Sequence, residues 1–142
     1  MKRLIFSLAV LCLVFSLTAC SAKNGEVSQL DLLHRNYVLI SIDGEPFSIQ
    51  DHQPNIEFGA GFRVSGAVCN RYTGQGVLKN SVLTVDQMAS TKMLCIDPAL
   101  NQLESDFSNM LMNGVRVSQT ANSLTLSHDG RVLLFRIRDW VQ

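Results

Sequence analysis

The chain has 142 residues, its 12 lysine and arginine side chains are balanced by 12 aspartate and glutamate side chains, and 46% of its residues are hydrophobic. This length suits one ordinary globular domain. The basic residues are scattered singly, and nucleic-acid binding needs a concentrated positive face to displace counterions, so the composition argues against a nucleic-acid partner.

The first nineteen residues have the pattern of a secretory signal peptide. Lys2 and Arg3 precede an apolar run over residues 4–15 that only Ser7 interrupts. A membrane-spanning helix needs about 20 apolar residues, so this shorter run is typical of a cleaved signal. We expect residues 1–19 to be removed, which reduces the twelve basic residues to ten against twelve acidic ones, a net charge of −2.

The end of this segment, Leu-Thr-Ala-Cys at residues 17–20, resembles the lipobox of bacterial lipoproteins. The resemblance implies that the Cys20 thiol receives diacylglycerol; the alternative is an ordinary secretory cleavage site beside a cysteine. Since Ser21 rather than Asp follows, we expect a lipid anchor in the outer membrane and a domain that faces the periplasm. Residues 20–29 are predicted to be a polar tether and residues 30–142 the domain.

Only Cys69 and Cys95 then remain in an oxidising compartment, because Cys12 leaves with the signal and Cys20 is acylated. A disulfide between them would stabilise the fold by about 3 to 4 kcal/mol in the chain-entropy model. The alternative is two buried reduced thiols. We expect no metal site and no cofactor, since no histidine lies within a few residues of either cysteine and zinc takes four ligands.

Runs of β-branched and aromatic residues between turn residues predict short antiparallel strands. Asp43-Gly44 and Asp129-Gly130 are turn pairs, and the second indicates a hairpin because it lies between two apolar runs. The predicted strands cover residues 37–42, 56–58, 62–67, 72–78, 82–85, 115–120, 124–127 and 132–137.

One amphipathic helix interrupts the strands. Asp97 suits the N-cap, Pro98 the first helical position, and Asn113-Gly114 the end. Glu104 and Asp106 are predicted on the solvated side, opposite the apolar positions Leu100, Leu103, Phe107, Met110 and Leu111. The fold class is therefore α+β and mainly antiparallel β, a curved sheet or partly open β-barrel with this helix packed across it.

Two separated motifs resemble the META domain family, and in particular its HslJ-like group of heat-inducible lipoproteins. The first motif is matched by Gly66, Cys69 and Asn70, and the second by Ala89, Thr91, Met93 and Cys95. The resemblance implies a compact, mostly antiparallel β fold with one helix, and an association with heat response or antibiotic tolerance. It implies no established catalytic activity. Val68 and Tyr37 depart from residues common in the family.

The candidate binding loop combines residues from both motifs: Asn70, Arg71, Tyr72, Thr91 and Lys92. In one interpretation, the Arg71 guanidinium binds a carboxylate or phosphate beside the Tyr72 ring. In the other, Asn70 forms a turn or bonds to backbone, Tyr72 packs in the core and Arg71 points to water. The hydroxyl of Thr91 would then satisfy backbone groups.

No catalytic residues are predicted. His34, His52 and His128 are far apart, and Ser127-His128-Asp129 reads as the approach to a turn, because neighbours in a strand point to opposite faces. The methionines at positions 88, 93, 110 and 112 suggest either an adaptable groove or core filling. Trp140 is expected to cover the end of the last strand.

We therefore expect a non-enzymatic envelope lipoprotein that supports stress tolerance through contact with another envelope protein. A carrier of a small hydrophobic molecule and a peptidase inhibitor are the alternatives.

Overall fold

The computed structural model describes residues 25–49 and 53–138. The helices are α1 (Gln29–Leu32) and α2 (Pro98–Asn113), and a 3₁₀ turn covers Ala60–Phe62. The strands are β1 (Arg35–Ile42), β2 (Glu45–Pro46), β3 (Asn55–Phe58), β4 (Arg63–Ala67), β5 (Arg71–Lys79), β6 (Val82–Ser90), β7 (Val115–Gln119), β8 (Ser123–His128) and β9 (Arg131–Ile137).

Eight of these strands form a closed antiparallel barrel. Neighbours follow the order β1-β3-β4-β5-β6-β7-β8-β9, and β9 pairs back with β1 in the register Tyr37↔Ile137 and Leu39↔Phe135. Among the described residues, the short β2 pairs with the end of β1 alone. The α+β, mainly antiparallel prediction is confirmed, and the closure that the sequence left open is supplied by the pairing between β1 and β9.

Buried and more exposed side chains alternate along the strands, and the buried ones form the barrel core. In β8, Leu124 and Leu126 are fully buried, and Thr125 between them is only partly buried. Rings pack across neighbouring elements, with the Tyr37 and Phe58 centroids 6.3 Å apart and those of Phe58 and Phe62 5.6 Å apart. Each large apolar side chain buried in this way stabilises the fold by about 1.5 to 3 kcal/mol.

Helix α2 packs its apolar face against this core, as predicted. The Asp97 side chain caps the helix by accepting a hydrogen bond from the Ala99 N–H at 2.8 Å. Phe107 contacts two strands through rings whose centroids lie 5.5 Å away in Tyr72 and 6.1 Å away in Phe135. Helix α2 therefore fixes the position of β5 relative to β9.

Strand β6 is longer than the sequence analysis predicted. Its expected end at Val85 was wrong because the apolar alternation stops there, while backbone pairing with β5 continues to Ser90. Gln87, with a φ of 51°, lies at an irregularity in that pairing. On its other side, β6 pairs with β7 only through Val82 and Leu83.

Several sequence-based predictions fall outside the described residues. These concern the signal segment, Cys12, Cys20, His52 and Trp140. In the part of the chain that the structure describes, none of the helices is both long and apolar enough to cross a bilayer.

Candidate functional site

The fold brings both sequence motifs to one end of the hairpin formed by β5 and β6. Tyr72 pairs with Ser90, and the Thr91 N–H donates a hydrogen bond to the Arg71 carbonyl at 3.0 Å. Residues 70–72 therefore lie beside residues 91–92, although about twenty residues separate the two segments in the sequence.

Asn70 is the centre of this site, and its side chain is fully bonded. It is 5% exposed, and its Oδ1 accepts hydrogen bonds from the Met93 N–H at 2.7 Å and the Thr91 hydroxyl at 2.9 Å. Its Nδ2 donates to the Met93 carbonyl and to Glu104 Oε1, each at 3.0 Å. A primary amide has two donor hydrogens and two acceptor lone pairs, so this side chain has no capacity left for a ligand.

The prediction that Glu104 lies on the solvated face of α2 was wrong. The side chain is half-buried, and its Oε2 accepts hydrogen bonds from the Asn70 N–H at 2.7 Å and the Cys69 N–H at 3.2 Å. Hydrogen bonds to a carboxylate are about twice as strong as neutral ones. We call Asn70, Thr91, Met93 and Glu104 the Asn70 cluster.

The sequence did carry a signal for Glu104. It lies four residues after Leu100 and three before Phe107, a spacing that places all three side chains on adjoining parts of one helix face. A single carboxylate within an apolar stripe indicates a buried donor opposite it. Asp106 is partly exposed, and its Oδ2 lies 3.1 Å from Nη2 of Arg131.

Tyr72 and Arg71 differ sharply in environment. Tyr72 is 6% exposed and donates its hydroxyl hydrogen to the Asn55 carbonyl at 2.9 Å. Burial raises the pKa of the Tyr72 phenol well above its usual value. Arg71 is exposed, and within the described residues neither Arg71 nor Lys92 forms an ion pair.

A disulfide joins the two loops of the site. Cys69 and Cys95 are bonded, with Cα atoms 6.1 Å apart and a sequence separation of 26. Asn101 of α2 holds the same segment, since its Nδ2 donates to the Cys95 carbonyl at 3.1 Å. The sulfurs and a Glu104 carboxylate oxygen lie within 4.8 Å of one another. Because the sulfurs are bonded, they are not thiolate ligands for a metal.

Within residues 93–96, which the disulfide and these hydrogen bonds hold in place, three apolar side chains are exposed to solvent. The exposed fractions are 68% for Met93, 91% for Leu94 and 103% for Ile96. Leu94 and Ile96 also line an open groove of about 610 Å³ with Ile49 and Leu100, beside the disulfide. We call residues 93–96 the apolar loop. Met93 belongs to a sequence motif and was singled out, whereas Leu94 and Ile96, on either side of Cys95, were missed.

The histidine of the Ser127-His128-Asp129 segment has both ring nitrogens occupied. Its Nδ1 lies 2.7 Å from the Gly114 carbonyl, and its Nε2 lies 3.3 Å from Asp129 Oδ2. Since a carbonyl only accepts, Nδ1 donates to Gly114. Neither nitrogen faces a nucleophile in this arrangement. His34 is exposed in a turn with a φ of 61°.

Comparison with known proteins shows the family to which this fold belongs. The META domain family model matches residues 29–140. The chain belongs to the META domain family. The chain is 39% identical over 113 residues to the heat shock protein HslJ of Escherichia coli (strain K12), covering 80% of this chain and 81% of that protein.

Solved structures share the META domain fold. One NMR structure, 39% identical in sequence, has a TM-score of 0.71 and covers 78% of this chain and 94% of its own. A second NMR structure, of a protein from Burkholderia xenovorans, has a TM-score of 0.66 at 24% identity and covers 82% and 90%. The second likeness concerns the fold alone.

Proposed function

We propose that this META domain protein is a non-enzymatic lipoprotein, anchored through Cys20 in the outer membrane, that supports survival of heat or antibiotic stress by binding another envelope protein. The observation that carries the proposal is the apolar loop, whose three large side chains are held in solvent by a disulfide and the Asn70 cluster. Contiguous exposed apolar surface marks interaction sites in soluble domains.

The polar groups of the site support a binding role over catalysis. The Asn70 side chain makes four hydrogen bonds within the site, and the Glu104 carboxylate accepts three. A general base or nucleophile needs a free atom facing a substrate. The Asn70 and Glu104 side chains instead hold the apolar loop in place.

The packed barrel interior argues against the hydrophobic carrier. Large side chains fill the space that a ligand would occupy, and Tyr37, Phe58 and Phe135 are at most 2% exposed. The apolar surface of the site lies outside the barrel, where it suits contact with another protein.

The anchor is supported by the sequence, and the stress role by a relative. The lipobox-like residues before Cys20 follow a signal-like segment. Stress tolerance is supported by the relative that is called a heat shock protein.

Complementation of a strain that lacks the protein tests the proposal. We expect the full chain to restore survival after heat or antibiotic exposure, and Cys20→Ser or the double variant Leu94→Asp/Ile96→Asp to fail. Met112→Asp is the matched control, since Met112 is 50% exposed on α2, away from the loop. Equal survival with the folded double variant would show the proposal to be wrong, as would an unacylated Cys20 in mass spectra of the mature protein.

A further inference from the structure

The apolar loop lies at the end of the barrel opposite the tether. The Val27 N–H donates to Oγ of Ser81 at 2.8 Å, which places the start of the described chain at the turn between β5 and β6. The nine residues of β6 then run from Val82 to Ser90, and the apolar loop follows. At about 3.3 Å per residue, β6 separates the two places by roughly 27 Å.

A short tether keeps the Ser81 end close to the anchoring bilayer. Seven residue steps join Cys20 to Val27, a distance of at most about 25 Å even when fully extended. With the acyl chains in the membrane, the end of the domain that carries Ser81 is the end attached nearest the anchor. The apolar loop lies at the end farthest from this attachment, which favours a protein over lipid as its occupant.

The charges at the end of the loop that adjoins Lys92 are positive. Lys92 and Arg71 are exposed, and in residues 25–49 and 53–138 neither forms an ion pair. At the other end of the loop, Asp97 lines the groove and accepts a hydrogen bond as the cap of α2. Glu57, which lines a separate pocket with Arg71, accepts a hydrogen bond from Asn36. An acidic group that approaches the Lys92 end of the loop is therefore attracted, and a basic group there is repelled.

Resting on the proposed function, we propose that the apolar loop and its groove bind a periplasmic protein segment whose apolar side chains are flanked by acidic residues. Side chains of that segment enter the groove between Leu94, Ile96 and Leu100, and its carboxylates meet Lys92 and Arg71. Because the disulfide and the Asn70 cluster already hold the loop, little conformational entropy is lost on binding.

Photocrosslinking in cells tests the partner's chemistry. The full chain would carry a photoreactive amino acid at position 94 or, as a control, at the exposed position Lys79 of the opposite end. Mass spectrometry of the crosslinked peptides would map the contact. We expect position 94 to capture an apolar protein segment with acidic residues, and Lys79 not to capture it. Captured lipid, a segment without acidic residues, or no captured protein at position 94 would overturn the inference.

A charge exchange with the mapped segment completes the test. We expect Lys92→Glu to lower capture about tenfold, which corresponds to about 1.4 kcal/mol. Replacing the mapped acidic residue of the partner with lysine should restore capture by Lys92→Glu. The Lys79→Glu control should leave capture unchanged. Loss of capture without restoration would contradict the acidic partner. The proposed function would still stand if survival needed the apolar loop, so the two failures are distinguishable.

Discussion

Asn70 and Glu104 show how two polar residues position a whole loop. Asn70 connects the turn after β4 with the apolar loop, and Glu104 ties that turn to α2. A buried donor or acceptor that loses its partner costs about 1 to 3 kcal/mol. The geometry of the site therefore depends on keeping every one of these bonds.

Replacing Glu104 with glutamine tests this dependence. In either orientation, the amide nitrogen of a glutamine would face a donor, either the Asn70 and Cys69 N–H groups or Asn70 Nδ2. We therefore expect Glu104→Gln to lower the free energy of unfolding by about 2 kcal/mol. The control is Asp106→Asn, which weakens a partly exposed ion pair with Arg131 and should cost less than about 1 kcal/mol. Urea denaturation measures both. Equal effects would contradict the role given to Glu104.

Because Tyr72 is buried, we expect the folded protein to lose stability in alkaline solution. Burial raises the pKa of its phenol in the folded state above the unfolded value, so the fold favours the neutral form. This contribution is complete below about pH 10, the pKa of the unfolded side chain, and is lost as the pH rises above it.

We expect Tyr72→Phe to reduce that alkaline loss while costing about 1 kcal/mol at pH 7, because the bond to the Asn55 carbonyl is removed. Thermal unfolding between pH 8 and 11 measures both effects. An unchanged alkaline slope in the variant would count against the assignment.

At the scale of elements, β3, β4 and β5 approach closely at Gly66. A Cβ at this position would clash with the Asn55 carbonyl of β3 and lie 2.7 Å from the Tyr72 hydroxyl of β5. The neighbouring atoms include backbone, which cannot rotate away. The glycine of the first family motif therefore permits the strand packing that supports the site.

Gly66→Ala should destabilise the protein strongly. We expect a loss of about 3 kcal/mol, at the upper end of the cost of overpacking, seen as a lower midpoint of thermal unfolding. Gly59→Ala is the matched control, because a Cβ there would make only an ordinary contact of 3.7 Å with the Arg63 carbonyl. Similar midpoints for the two variants would show that β3 and β4 can separate at little cost.

At the scale of the whole molecule, barrel closure pairs the first strand, β1, with the last strand, β9. Strand β1 pairs with both β3 and β9, and β9 pairs with both β1 and β8. A strand with partners on both sides lacks the open edge that invites pairing with other chains.

Hydrogen exchange measures the consequence of closure. We expect the amides of β1 and β9 to exchange as slowly as those of β4, by global unfolding only. The internal control is Asp86–Ser90 of β6, where no strand pairs on the outer side among the described residues and several amides should exchange faster. Fast exchange confined to β1 and β9 would indicate that the barrel opens at this pairing.

The sequence by itself determined the class of fold and most elements, because alternation and turn residues are local signals. The Asp97 cap, the apolar face of α2 and the hairpin at Asp129-Gly130 each follow from residues close in the chain. Of the site, the residues of the two motifs were identified. Their separation in the sequence says nothing about which atoms meet.

Only the tertiary structure decided closure, the partner of Glu104 and the exposure of Leu94 and Ile96. The β1 and β9 strands meet across about ninety-five residues of chain, and Glu104 reaches Asn70 across 34. Leucine and isoleucine are ordinarily buried, so periodicity alone assigns them to a core. The disulfide and the Asn70 cluster prevent that burial here, because they fix the backbone at Cys95, between these two residues, and at Met93, just before them.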